Sequence, residues 1–370
     1  MERPRVAKPK YQKLFESLKA DIVSGRFQPG QKLPSEAAIV KKSGASRITV
    51  VRALRELQNI GLVDRVAGSG TYVRRLGRDD HRPLLFGLLI PDLGETDIFE
   101  PICQGIANAP EAGEHALLWG HSSARTGKAD QAWQLCQQYI SRKVSGVFFA
   151  ALEFETEAEK MNRRILSALR EAHVPVVLLD RRTSKTPESY RPDLVGINNR
   201  QAGFVATEHL AKHGCKRIGF LGYHGSASTI AERMAGYNEA LSVYGLRPPE
   251  DSSVHFSSGK EQSLSWSAAG EIQPLDGFVC VNDRMAGELM HTFLARNIRI
   301  PEDVRLVGID DVSYASLLPV PLTTVRQPTR EIGEAALRTM LDRINSPRLP
   351  PRDVLLDGEL IIRRSCGAHS

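Results

Sequence analysis

Residues 33–73 read LPSEAAIVKKSGASRITVVRALRELQNIGLVDRVAGSGTYV, and the order of caps, apolar positions and glycines here decides the fold of the N-terminal part. Ser35 offers a hydroxyl to free backbone N–H groups and opens a helix that should end near Gly44. Ser46 opens the next helix, which carries Thr49, Val50, Leu54 and Leu57 and runs to Gly61. Two short helices joined by a tight Gly-containing turn suit a helix-turn-helix, with Arg47 and Thr49 near the N-terminus of its second member, where base edges are read. Residues 62–66 and 71–74 alternate around the small tip Ala67-Gly68-Ser69-Gly70, which predicts a β-hairpin able to approach a DNA backbone closely.

Moving toward the N-terminus, Tyr11, Leu14, Phe15, Leu18 and Ile22 form one apolar stripe at helical spacing. Gly25 can stop that helix in a left-handed conformation, and Pro29-Gly30 makes a turn. Charge follows the same boundary. Residues 1–82 hold 18 Lys/Arg against 8 Asp/Glu, and the remainder holds 31 against 35. The excess of +6 therefore comes from the first fifth of the chain, where it attracts phosphate by long-range attraction and counterion release. A basic segment with helix, helix-turn-helix and wing in order predicts DNA binding.

Toward the C-terminus, residues 75–83 are charged, aperiodic and end in proline, as a linker does. Short apolar runs then alternate with helical patterns, at 85–90, 116–119, 146–150, 174–179, 218–221, 278–281 and 306–309. Several end in an acid or amide: Asp92, Asp180, Asn282-Asp283 and Asp310-Asp311. Strand–helix alternation at this spacing predicts parallel sheets with helices on both faces. Ligands bind such sheets outside the carboxyl ends of the strands, where these polar residues fall.

Other classes are disfavoured. No apolar run approaches the roughly 20 residues of a membrane span, and residues 1–10 are basic without the apolar stretch of a signal peptide. Five scattered cysteines (103, 136, 215, 280, 366), with no C-x-x-C pair, predict reduced thiols in a cytoplasmic protein, with no metal and no cofactor. Phosphate loop, dinucleotide fingerprint and nucleophile elbow are missing, which argues against an enzyme. His173, His209 and His213 stand isolated.

Residues 1–74 resemble the GntR-family winged helix, through Leu33-Pro34-Ser35-Glu36, Ser46-Arg47-Ile48-Thr49-Val50, Ala53-Leu54, Leu57, Gly61-Leu62-Val63 and Gly68-Ser69-Gly70-Thr71-Tyr72-Val73. The resemblance implies contact with DNA at Ser35, Glu36, Ser46, Arg47, Thr49, Arg52, Arg65, Gly68, Ser69 and Gly70. Many members of that family carry Arg directly after the Thr-Val pair, whereas this chain has Val51 there and Arg52 next. One residue turns a helical side chain by about 100°, so Arg52 need not meet the same atoms.

Residues 84–370 resemble the sugar-sensing domain of LacI/GalR regulators, itself similar to periplasmic sugar-binding proteins. The resemblance rests on Val174-Pro175-Val176, Leu179-Asp180-Arg181, His209-Leu210, Arg217-Ile218-Gly219-Phe220, Arg233, Gly236-Tyr237, Val281-Asn282-Asp283, Val307-Gly308-Ile309-Asp310-Asp311 and Leu322-Thr323-Thr324-Val325 with Gln327-Pro328. It implies two α/β lobes joined by three crossing strands, with ligand between them. Phe99, Asp180, Arg181, Arg233, Asn282, Asp310 and Gln327 are the implied effector contacts, and their mix of donors and acceptors suits sugar hydroxyls. Asp180 with Arg181 also fits a strand-end salt bridge, Arg233 a helix–loop contact, and Asp283 and Asp311 helix caps or hinge-side hydrogen bonders. Residues 94–98, the 250–267 loop with Trp266, and Trp119, His121 and Glu153 are further candidates for the cleft. The whole predicts a winged helix-turn-helix (α+β) fused to a two-lobed, periplasmic-binding-protein-like α/β domain. Its expected partners are double-stranded operator DNA, a small effector and a second copy in a homodimer, with no membrane. Repression relieved by sugar is the sign the resemblance implies.

Overall fold

The computed structural model describes residues 10–23, 25–28, 30–59, 62–66, 69–73, 83–91, 97–113, 115–120, 127–153, 157–183, 191–222, 228–249, 253–255 and 275–368. Gly61, Gly68, Pro29, the linker at 75–82, residues 94–96, His121 and the 256–267 segment with Trp266 lie outside them. The chain divides into Met1–Arg82 and Pro83–Ser370.

In the first unit α1 (Lys10–Val23), α2 (Glu36–Ser43) and α3 (Arg47–Asn59) precede the hairpin β1 (Val63–Val66) and β2 (Gly70–Val73). Ser35 caps α2 by accepting from Ala38 N, and Gly44 ends it in the left-handed conformation at φ 63°. Ser46 accepts from Thr49 N at the start of α3. Val50, Ala53, Leu54 and Leu57 fall at i, i+3, i+4 and i+7 and are buried, against Leu18, Ile22, Leu33, Ile39 and Val63. The hairpin is antiparallel in the register Val63↔Val73 to Val66↔Gly70. Gly70 sits at φ 137°, a backbone conformation that favours glycine, beside the Lys32 side chain.

The second unit holds two six-stranded sheets with the same plan. One runs β13-β7-β6-β5-β3-β4 and the other β14-β12-β11-β10-β8-β9, all parallel except the β12–β14 pair. The first comprises β3 (Leu85–Leu89), β4 (Ala116–Trp119), β5 (Gly146–Phe149), β6 (Val176–Leu179), β7 (Asp193–Ile197) and β13 (Asp353–Leu356). The second comprises β8 (Ile218–Leu221), β9 (Ser253–His255), β10 (Gly277–Cys280), β11 (Arg305–Asp310), β12 (Thr323–Arg326) and β14 (Glu359–Ile361). Strands β5, β6, β8 and β10 are buried at every position, as parallel strands covered on both faces must be.

The chain passes between the lobes three times: from β7 into α7 (Asn199–Lys212), from β12 into α10 (Thr329–Asn345), and from β13 into β14. The crossings are knitted together. Asn198 donates to Asp357 at 2.9 Å, and Gly358 N donates to Gln201 Oε1 at 3.3 Å. A Cβ on Gly358 would meet Val325, Arg326 O and Ile197, so the third crossing lies directly on the first two.

Each lobe also has a close helix pair. In the second lobe α7 packs on α8 (Ser228–Val243), where a Cβ on Gly236 would stand 1.9 Å from Arg200 O. In the first lobe α10 packs on α4 (Phe99–Asn108), where a Cβ on Gly105 would stand 2.4 Å from Arg330 O. Glycine is what lets these backbones touch. Strand β7 opens on the buried Asp193, held by Arg343 of α10 at 2.8 Å. Cys103 is half-buried, and Cys136, Cys215, Cys280 and Cys366 are buried; all five are free thiols. Among the described residues no helix is long and apolar enough to cross a membrane.

Candidate functional site

The head presents α3 with its N-terminal turn outward. Arg47 is 83% exposed and is drawn to Glu36 Oε2 at 3.5 Å. Arg65 of the wing donates to Glu36 Oε1 at 2.5 Å. One carboxylate on α2 thus pairs with an arginine of α3 and an arginine of the hairpin. Thr49 Oγ1 and Ser46 Oγ are 2.8 Å apart. Ser69 lies 2.7 Å from the Tyr72 hydroxyl at the wing tip, beside Gly70. Ser35 keeps its oxygen on the cap of α2. Arg52 lies over the Tyr11 ring at 3.8 Å, a cation–π contact that directs it toward α1.

In the second unit the implied contacts form two polar groups at matching strand ends. Asp180 follows β6 and Asp310 ends β11, which occupy the same place in the two sheets. Both adopt positive φ, 67° and 124°, and Asp311 follows at 54°. Such backbones are uncommon for any residue but glycine, and persist where the surroundings force them.

In the second lobe Arg233 of α8 reaches Asn199 Oδ1 at 2.7 Å, the Val281 carbonyl, and Asp310 Oδ1 at 3.5 Å. All three guanidinium nitrogens are engaged. Gln327, on the second crossing, donates to Asp310 Oδ1 at 2.7 Å. Burial pushes the Asp310 carboxyl up to about 6; Arg233 and Gln327 oppose this, while Asp180 and Asp97 add to it.

In the first lobe Arg181 meets Glu153 at 2.8 Å, Asp180 Oδ2 at 3.4 Å and the Ala151 carbonyl at 2.8 Å. Its guanidinium lies 5.4 Å from the centre of the buried Phe99 ring. Two atoms of these groups, Asp180 Oδ1 and Gln327 Oε1, are buried without a hydrogen-bond partner. Buried acceptors of this kind are rare and call for an explanation.

Asn282 takes a different part. Its side-chain oxygen accepts from Met285 N and caps α9 (Asp283–Ala295). Asp283 is instead buried, accepting from Thr324 Oγ1 at 2.5 Å and from Val312 N at 3.0 Å. Burial first, then Asp310, pushes the Asp283 carboxyl up to about 8. Asp311 pairs with Arg326 and Arg363, both at 2.7 Å. Asn199, which steers Arg233, and the Glu153 pairing escaped the sequence reading, since both depend on which strand ends become neighbours. Trp119 is exposed on the edge strand β4.

A cleft of about 450 Å³ runs from α4 of the first lobe to the ends of β11 and β12 in the second. Among the described residues Asp97, Glu100, Asp310 and Asp311 line it with a single cation, Arg326, already paired to Asp311. Gln327 lies on its wall. Asp180 borders a second cavity of about 240 Å³ with Asn198 and Asn199.

Known proteins match both units. Residues 10–73 fit the profile for bacterial regulatory proteins of the gntR family, and residues 207–366 fit the periplasmic binding protein-like domain. The arabinose metabolism transcriptional repressor of Geobacillus stearothermophilus is 26% identical over 367 residues, covering 96% of this chain and 97% of that protein. The HTH-type transcriptional repressor PurR of Photobacterium profundum is 32% identical over 200 residues, covering 53% of this chain and 58% of its own length. The solved complex of the regulator CelR with cellobiose shares the fold at a TM-score of 0.63 and 23% identity, over 90% of this chain and all of that one. A ribose-bound LacI family regulator from Enterococcus faecium does so at 0.61 and 22%, over 76% of this chain and 98% of its own. Strands β3 to β7 of the first lobe precede the stretch matched by the periplasmic profile, and the first sheet repeats the plan of the second. The chain therefore carries the two parts of a transcription regulator, a winged helix-turn-helix similar to the gntR family over residues 10–73 and, after it, a domain similar to periplasmic binding proteins.

Proposed function

We propose that this regulator represses transcription by binding a two-fold operator as a cytoplasmic homodimer, and that an uncharged sugar in the interlobe cleft releases it. One observation carries the effector class. Among the implied effector contacts the two buried atoms left without partners, Asp180 Oδ1 and Gln327 Oε1, are both acceptors, whereas each Arg233 nitrogen already makes a hydrogen bond. A ligand that completes this site brings hydroxyl donors, and the acidic lining of the cleft disfavours phosphate or carboxylate. Phe99, Asp180, Arg181, Arg233, Asp310 and Gln327 would hold or orient it, and Asn282 would contribute its amide nitrogen beyond the cap. In the head, Ser46, Arg47, Thr49, Arg65 and the wing residues 68–70 would meet DNA, with residues 75–83 as the linker to the sensor at 84–370.

Release requires that sugar bind the closed and open lobes with different affinity, since a ligand shifts an equilibrium only by that difference. The test is fluorescence anisotropy of the purified protein on DNA from its own upstream region, with pentoses and hexoses titrated in. A responding sugar should weaken operator binding by about 5- to 150-fold, and its uronic acid and phosphate should not. Specific DNA binding unaffected by any neutral sugar would overturn the effector class.

A further inference from the structure

Ile48, on the outward face of α3, has the greatest exposure of any large apolar side chain among the described residues, at 82%. It is the second residue of that helix and stands two positions before the buried Val50, which turns it about 200° from the core face. Arg52 and Arg55 share its face at i+4 and i+7 and are both exposed, and Arg47 adjoins it. Along the helix the isoleucine is thus flanked by three arginines, of which Arg52 rests on the Tyr11 ring and Arg47 stands near Glu36. Docking an apolar protein surface or a lipid tail here would strip water from those cations without replacing it. A DNA major groove satisfies both chemistries at once: phosphates face the arginines, and the apolar group on offer among the base edges is the 5-methyl of thymine. The side chain is also ready for contact, because a β-branched residue in a helix holds essentially one χ1 rotamer.

We propose that Ile48 reads a thymine methyl in each half-site and so sets the base preferred at that position. The assignment rests on the DNA-binding reading and adds a specificity-determining residue to it. Operator sites are first selected from random duplexes with the wild-type protein, and each thymine of the selected site is then replaced by deoxyuridine, which removes only the methyl group. For the wild type, one thymine per half-site should cost roughly four-fold in affinity when demethylated, the worth of one buried methyl group. Ile48→Ala, which should fold normally because the side chain is solvent-facing, should bind the thymine and deoxyuridine duplexes equally at that position. It should also select sites with the preference there relaxed. Equal deoxyuridine sensitivity of both proteins at every thymine overturns the assignment, as does unchanged base preference in Ile48→Ala. Failure of the wild type to select any site would instead count against DNA binding itself.

Discussion

The two lobes of the sensor share one sheet order and one backbone device, an aspartate in left-handed conformation at the end of the equivalent strand, yet they use it differently. In the first lobe Asp180 pairs with its own neighbour Arg181, which is also held by Glu153, and one carboxylate oxygen stays uncommitted. In the second lobe Asp310 receives Arg233 from a helix and Gln327 from an interlobe crossing, so the acid is tied to a segment that joins the two lobes. In the function proposed above, the same fold position serves ligand recognition on one side and coupling to the interlobe crossing on the other. Topology fixes where such acids stand, and the partners supplied by neighbouring elements fix what they do.

The strongest way to break this comparison is Arg233→Ala, which leaves Asn199 Oδ1 and the Val281 carbonyl without the arginine donor and Asp310 with Gln327 but no cation. Losing one partner of a buried, hydrogen-bonded ion pair costs about 3–5 kcal/mol, to be read from urea unfolding of the full chain. Next comes Gly236→Ala, where the added methyl would meet the Arg200 carbonyl at 1.9 Å in the second lobe. Overpacking against backbone should cost about 3 kcal/mol, and Gly105→Ala in the first lobe, where the added methyl meets the Arg330 carbonyl less closely, should cost less.

A smaller effect sharpens the division of labour. Asp180→Asn should weaken sugar binding by about ten-fold or more, the loss of a charge-assisted hydrogen bond of about 1.5–3 kcal/mol, measured by calorimetry, with little change in melting temperature. Asp310→Asn should in addition reduce the effect of bound sugar on operator affinity.

The smallest expected effect concerns pH. Asp283 and Asp310 hold their protons in the fold up to about 8 and about 6. A carboxyl raised in this way contributes its full stability below its unfolded value near 4, and loses it as pH rises through the folded value. Asp283→Asn should therefore gain on the wild type as pH climbs from 6 to 8.5, in melting temperatures taken in parallel. A gap that narrows over that range would contradict the assignment of Asp283.

Much of this could be read beforehand where local chemistry decides structure. The head is written in caps and glycines, Ser35, Gly44, Ser46 and Gly70, and these hold in the fold. The buried strands announce themselves as apolar runs. Strand β7 did not, because it opens on Asp193, whose burial depends on Arg343 some 150 residues later. Strand β13 did not either, since it is a short edge strand with alternate residues exposed. The strand-end acids were legible as a pattern. That Asn282 caps its own helix, that Arg181 turns to Glu153 and that Arg52 lies on Tyr11 depends on side-chain direction, which only the packed structure supplies.

The cysteines give each lobe its own clock. Cys103 and Cys136 sit in the first lobe, Cys215 and Cys280 in the second, and burial pushes their thiols up, to about 11 for Cys103, 12 for Cys136 and 11 for Cys215, with Cys280 higher still. Only the thiolate attacks an alkylating reagent, so these sulfurs should react slowly while their lobe is folded. Modification rates resolved by mass spectrometry would time the opening of one lobe against the other. Such labelling would show whether sugar steadies both lobes together or one ahead of its twin.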